Sequence, residues 1–485
     1  MKFEKEPLVV YDFLCIQTMK NVFVLTVFLL FGLDPSLASE DWLIRNTSDL
    51  VRFEKTSYGT WVLTNSLVQR EFLTSPNFAT LDLYSFEKKS SLIRALGPEA
   101  VINLDGVVYG IGGLVGTSHF RAYMNRTDAK FVNDVNAFQF AGYSVSKPVA
   151  PFPYVPRRGA PANVVWPPPG LRVEFRFVPP KTAPIRHAGV KVSVVYELYQ
   201  GIPLFSKWIR MIDTSAAAAR IKAAVLSVEY LSLNQPWAPS SVDAREALTG
   251  YGWLYVETDQ PHGTSVSWTA DGSQSTDYGS FEPVLNCSYS PVVFLPLGNQ
   301  WFESFRVHEL LIGSSDAERS ALARHRMFRL LAPHTQENPI FFHMTESSTA
   351  AVKSVIDQMA EVGFEMMIYS FGSGFKIEST SEKYIAEIKE VVQYAHSKGI
   401  EIGGYDLISL TRVTPNASWM AVNATTKHSR GSACFASEWY DYLTERLFNF
   451  IDKTGNYTGP ITSRNNVYMQ YVQKMQHAIF IANAT

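Results

Sequence analysis

From Asn338 onward, apolar positions come in short runs divided by amphipathic stretches. Ile340–Met344, Phe364–Ser370 and Ile400–Leu407 read as strands buried on both faces. Thr349–Val362 and Ser381–Ser397 carry helical periodicity. In the second of these, Tyr384, Ile388, Val391, Val392 and Ala395 form one apolar stripe, with Glu382, Lys383, Glu387, Lys389 and Glu390 around it. Gly363 and Gly399 stand where each helix should stop. Alternation of strand and helix predicts a parallel sheet, whose chemistry gathers at the C-terminal strand ends. Those ends carry His343, Tyr369-Ser370 and Tyr405-Asp406.

Upstream the period changes. Trp61–Leu63, Ala79–Tyr84, Val101–Leu104, Leu171–Phe177, Val192–Tyr199, Ala223–Leu233 and Val292–Phe294 are short runs rich in Val, Tyr, Phe and Leu. Turn residues divide them, among them Ser75-Pro76-Asn77, Asp105-Gly106, Gly201-Ile202-Pro203 and Asp271-Gly272. Helical patterns are almost absent, Ala216–Lys222 being too short to decide. Many strands without crossover helices predict an antiparallel sandwich. Pro148–Pro169 interrupts it with eight prolines. Interleaved Phe152, Tyr154, Val164 and Trp166 point to an ordered surface loop rather than a flexible linker. Gly110, Gly112, Gly113 and Gly116 do not match a dinucleotide fingerprint, and no helix follows. They read as a bulge or a close backbone approach.

Between the two regions, Asp316–Leu331 is amphipathic, with Ser315 or Asp316 at its N-cap and Leu322, Met327, Leu330 and Leu331 apolar. Arg319, Arg324, Arg326 and Arg329 read as a solvated or interdomain face. A chain of 485 residues exceeds one core. The expected division is 1–38 extension and signal peptide, 39–314 β-sandwich, 315–337 linking helix and 338–485 parallel β/α region.

Val22–Leu33 is too short to span a bilayer. Lys20 precedes it and Ser36-Leu37-Ala38 follows, the pattern of a secretory signal cut after Ala38. Met19 is then the expected start, with the residues before it an upstream extension; an uncleaved signal anchor is the other reading. Acceptor sites for N-glycosylation at Asn46, Asn125, Asn286, Asn416, Asn423, Asn456 and Asn483 agree with a secreted or extracellular protein. No apolar span long enough to cross a membrane follows the signal. The net charge of −2, without a basic run, argues against a nucleic-acid surface. Of Cys15, Cys287 and Cys434, the last two fall in different expected domains, which disfavours a bridge between them. No Cys/His spacing suggests zinc and no acidic loop matches a calcium hand, so no metal site and no cofactor is expected.

Tyr394–Leu407, YAHSKGIEIGGYDL, resembles the approach to the third barrel strand in the α-galactosidase-type glycoside hydrolases of the melibiase clan. The stretch around Thr64–Ser85 resembles the start of their N-terminal β-supersandwich. The resemblance implies a multidomain β plus α/β chain: an antiparallel β-supersandwich, then a partial parallel (β/α) TIM-type barrel. It implies a carbohydrate ligand or substrate with an α-linked sugar. Asp406 corresponds to a position that binds sugar hydroxyls, Tyr405 could stack on a sugar face, and His343 and Tyr369 would line the same mouth. Such enzymes use two carboxyl groups about 5 Å apart, the nucleophile ending the fourth strand and the acid/base a later one.

The chain departs from that pattern. A full barrel takes about 250 residues, whereas Asn338–Thr485 holds 148. After the helix expected at Ser437–Asp452 comes KTGNYTGPITSRNN, not an apolar strand ending in Asp. Lys453–Thr485 contains neither Asp nor Glu, and a closing helix is expected at Val467–Ala482. The catalytic carboxylates are therefore unassigned. Three readings stand open within the resemblance: a piece of a longer hydrolase, a half barrel that dimerises or binds sugar without catalysis, and catalysis by Asp406 with Glu346 or Glu378. The remaining alternative is that the resemblance is not a relationship.

Overall fold

Alternating apolar residues in short runs make strands, and here they make many. The computed structural model describes residues 41–44, 47, 50–115, 131–152, 154, 156, 160–215, 220–233, 254–259, 266–270, 283–288, 293–296, 300–314, 316–336, 339–370, 372–407, 414–422, 429–434, 437–455, 469–471 and 478–482. For 94–95, 268–270, 283–284, 334, 405–407, 422, 429–430, 469–471 and 478–482 it describes the backbone alone. The signal segment and acceptor sites Asn46, Asn125, Asn423, Asn456 and Asn483 lie outside the described residues. The chain forms two units, Met1–Ser48 and Asp49–Thr485. In the first, a turn is closed by Leu43 and Ile44 amides on Asp41.

In the second unit the antiparallel part comes first. Arg52–Lys55, Trp61–Thr64, Val68–Leu73, Ala79–Ser85 and Ser90–Ser91 form a five-stranded meander. The largest sheet runs in order Gln139–Ser146, Gly170–Val178, Val190–Tyr199, Leu204–Asp213, Val307–Leu311, Leu254–Thr258, with Phe302–Glu303 beside Leu204–Asp213. Ala223–Leu233, expected as one strand, is two: Lys222–Ser227 pairs with Ala100–Leu104, and Glu229–Leu233 pairs with Pro283–Cys287. The chain passes between sheets at buried Val228, so one apolar run serves two layers.

The core lies between the inner faces. Phe72, Phe78, Phe175 and Tyr196 pack with ring centroids 4.4–6.1 Å apart, in stacked, tilted and edge-on geometries. Gly112 has φ +66°, and a Cβ there would meet the Phe78 carbonyl oxygen at 2.5 Å. The Gly113 amide donates to that oxygen at 2.7 Å. The glycines therefore permit a close backbone approach. The proline-rich segment is ordered where described: Trp166 packs on Phe152 at 4.7 Å and donates its indole N–H to the Phe152 carbonyl.

The linking helix is Ala317–Leu331, and the Asp316 side chain caps it by accepting from the Arg319 amide at 2.8 Å. Its arginines reach the antiparallel part. Arg319 pairs with Glu87 at 3.7 Å, Arg324 lies over the Tyr255 ring, and Arg329 donates to the Ala162 carbonyl.

Phe341–Met344, Met366–Tyr369 and Glu401–Leu407 then pair in parallel, in that order. Helices Thr349–Val362 and Glu382–Ser397 connect them, ending before Gly363 and Gly399 in left-handed backbone. The last described helix, Trp439–Thr454, packs its Trp439, Leu443, Leu447 and Phe450 into the same apolar cluster. Beyond it the described residues are strand where a closing helix was expected. Met469–Tyr471 and Ala478–Ala482 are strands, and the second pairs antiparallel with Glu401–Leu407. Its AIFIA sequence is apolar throughout, so periodicity does not separate helix from strand, and the free edge of the third parallel strand takes it up.

Candidate functional site

The three parallel strands set their C-terminal ends side by side. His343 is paired with Ile368, Met344 with Tyr369, and Tyr369 with Gly404. Side chains alternate across a strand. Met344, Met367, Tyr369 and Ile402 face the helices and join their core. His343, one position away from Met344, is exposed on the opposite face. The expectation that these strands are buried on both faces does not hold for the first one: Phe341 is 51% and neighbouring Ile340 61% exposed.

The four residues expected at the mouth thus divide. His343 stands at an open strand end. Tyr369 is fully buried, its ring stacked on Phe375 with centroids 4.4 Å apart and planes 7° apart. Its hydroxyl has no hydrogen-bond partner among the described residues, and burial pushes its pKa up. Gly404 makes room for this stack, since a Cβ there would lie 2.6 Å from the Phe375 ring. Tyr405 and Asp406 end the third strand, their backbones paired with Phe480 and Ile479. Their side chains lie outside the described residues.

The loops above these ends carry carboxylates. Glu346 is exposed and accepts from the Ser348 hydroxyl at 2.5 Å. Glu378 is half-buried in the turn after the second strand. The Ser370 amide donates to the Met344 carbonyl at 2.8 Å, binding the first two strand ends together. No group of His, Cys, Asp and Glu able to hold a metal ion occurs among the described residues. Cys287 and Cys434 are free thiols.

Of the acceptor sites that are described, Asn416 is exposed at a turn, its Oδ1 accepting from the Ser418 amide at 3.0 Å and hydroxyl at 2.8 Å. Asn286 instead lies in a central strand, between Tyr230 and Ser267.

Sequence reasoning missed a charged cluster within the sandwich. Arg70 Nη1 donates to Glu309 at 2.9 Å, and Nη2 to Glu229 at 3.1 Å. Lys207 Nζ donates to Glu229 at 2.8 Å and to the Glu99 carbonyl at 2.6 Å. Glu99 also accepts from the Thr80 amide and the Tyr196 hydroxyl. All of these side chains are buried. The signal was a polar residue inside each of several apolar strands, which by itself does not say that they meet.

On the outer face of the largest sheet a second polar row is buried. The Tyr199 hydroxyl donates to Glu197 at 2.8 Å and contacts the Ser206 hydroxyl, which lies 2.7 Å from His308 Nδ1. Burial, with Arg306 nearby, lowers the His308 pKa to about 3. The guanidinium groups of Arg172 and Arg306 lie over the Trp208 ring, 5.0 and 4.3 Å from its centre.

No protein-family model matches the sequence, and no curated protein matches it either. Solved structures do. An α-galactosidase of glycoside hydrolase family 36, AgaB from Geobacillus stearothermophilus, has a TM-score of 0.49 at 12% identity over 83% of this chain and 64% of its own. The galactosidase domain of the α-galactosidase-sucrose kinase AgaSK gives 0.46 at 11%, over 83% and 65%. The α-N-acetylgalactosaminidase NagBb from Bifidobacterium bifidum gives 0.25 at 10%, over 83% and 67%. The chain thus spans just under two thirds of the first two.

Proposed function

We propose that this chain is a secreted, glycoside-hydrolase-like protein that binds α-linked glycans at the C-terminal ends of its parallel strands, a partial (β/α) barrel set after a β-supersandwich. The observation that carries the reading is the in-register placement of three parallel strand ends, with His343 exposed on the first and Tyr405-Asp406 closing the third. Parallel sheets gather ligand-binding groups at that end. Asp406 would accept from sugar hydroxyls, Tyr405 would stack on a ring face, and His343 would flank them. Tyr369 supports the floor through its stack on Phe375 rather than touching sugar.

Noncatalytic binding or adhesion on the same scaffold is the second reading. Hydrolysis by carboxylates within this sequence would use Asp406 with Glu346 or Glu378.

A solved neighbour, a doubly substituted form of the α-galactosidase AgaA from Geobacillus stearothermophilus, is in complex with raffinose, which makes that sugar the first probe. The chain is titrated with raffinose by calorimetry, and galactose release is followed in parallel. Saturable binding that D406N abolishes, in a variant that still folds, is expected. Galactose release would favour the hydrolase and its absence the binding protein. No binding by the folded chain to raffinose or to an array of α-linked glycans would overturn the reading.

A further inference from the structure

Five charged residues meet inside the sandwich, and their charges do not cancel if every group is ionised. Arg70 and Lys207 bring two positive charges; Glu99, Glu229 and Glu309 would bring three negative ones. Every one is buried. An uncompensated charge at such depth is strongly disfavoured, and a buried carboxyl group takes up a proton instead. One guanidinium brings two of the carboxyls together: Arg70 Nη2 donates to Glu229 at 3.1 Å, and Nη1 to the two oxygens of Glu309 at 2.9 and 3.3 Å.

The geometry points to a single proton shared between Glu229 and Glu309, which makes the cluster neutral and makes folding of the sandwich a proton-consuming, pH-sensitive step.

The partners of the two carboxyls decide where the proton rests. Glu229 accepts from Arg70, Lys207 and the Tyr230 amide. Glu309 accepts from Arg70 alone among the hydrogen bonds of the cluster. Three donors hold Glu229 ionised, so Glu309 carries the proton. The other titratable groups turned toward the pair are Tyr196, Glu99 and the Cys287 thiol. Tyr196 donates its hydroxyl proton to Glu99. The thiol is pushed up by burial and by the two carboxyls. None of these three supplies a positive charge. The strand positions paired with Glu309, Phe205 and Val256, are apolar. The electrostatics agree: burial first, then Glu229, raise the Glu309 pKa well above its ordinary value. Arg70 and Lys207 overcome burial to lower that of Glu229 to about 2.

In the unfolded chain at neutral pH the Glu309 carboxyl is ionised, so folding takes one proton from solvent. Glu309 is the raised group: its contribution is full below the ordinary carboxylate range and is lost as pH rises toward and through its folded value. Within that window the unfolding equilibrium constant rises about tenfold per pH unit from this group.

The test is urea unfolding of the full chain from pH 5 to 8, with E309Q, E229Q and wild type compared. E309Q keeps the Arg70 contact and the shape, and is expected to remove one proton's worth of pH dependence. E229Q should remove it too, with a larger drop in the urea midpoint, since it loses the Lys207 contact. E309Q that folds and keeps the wild-type slope overturns the proposal. Infrared spectroscopy does not depend on E309Q folding. Among the described residues, Glu197, Asp259 and Asp452 are the other carboxyls held above their ordinary value by loss of hydration. An E197Q/D259N/D452N chain should therefore still show a protonated carboxyl band at pH 7, and a chain without that band overturns the proposal.

Discussion

Arg70 and Glu309 are 239 residues apart in sequence and 2.9 Å apart in space, and neither side chain reaches solvent. The guanidinium binds a strand of the first meander to one in the largest sheet. Arg70 also holds the ionised Glu229 at 3.1 Å, and removing the guanidinium leaves that buried charge short of a partner, which costs about 3–5 kcal/mol. R70M is therefore expected to lower stability by that amount in chemical denaturation. E309Q, which keeps an acceptor for Arg70, should cost less than half as much.

The acid side of the stability profile belongs in part to His308. Its folded pKa, about 3, lies below the unfolded value. A depressed histidine contributes stability that is full above the unfolded range and is lost as pH falls through the folded one. Unfolding followed from pH 6 to 4 should become easier, with about a tenfold change in equilibrium constant per pH unit from this residue. H308Q should flatten that limb by one proton.

Tyr369 carries a buried hydroxyl without a hydrogen bond to any described residue, inside a ring stack. Y369F removes the polar atom and keeps the stack. It should be neutral or stabilising by about 1 kcal/mol, and should leave raffinose binding unchanged. F375A, which empties the other half of the stack, should cost about 3 kcal/mol or more. A loss of sugar binding in folded Y369F would return Tyr369 to the mouth.

G404A should be poorly tolerated although its backbone is ordinary strand. The added methyl would drive into the Phe375 ring. A cost of about 1–3 kcal/mol is expected from thermal unfolding, and the double variant G404A/F375L should recover part of it.

The helices were legible because their signals are local. Asp316 and Ser381 cap the helices they precede, and Gly363 and Gly399 follow the helices before their strands, as spacing predicts. Many sandwich strands were legible too, but Leu204–Asp213 and Gln139–Ser146 were not, because Lys207 breaks the inner alternation of the first and the register of the second shifts between Phe140 and Gly142. Lys207 reads as solvent-facing until Glu229, on another strand, supplies its partner. His343 and Tyr369 were read as one mouth from their common place at strand ends. Their register puts them on opposite faces of the sheet, a distinction that a single shift of pairing would reverse.

The linking helix reaches back at three points, through Arg319, Arg324 and Arg329, to Glu87, Tyr255 and the Ala162 carbonyl. Where the polypeptide is divided therefore matters. A fragment ending at Ser314 would strip the sandwich of all three arginines and release the proline-rich loop from its tether. A fragment ending at Pro333 would carry its own splint, and is the shorter piece to express when the sandwich is wanted alone.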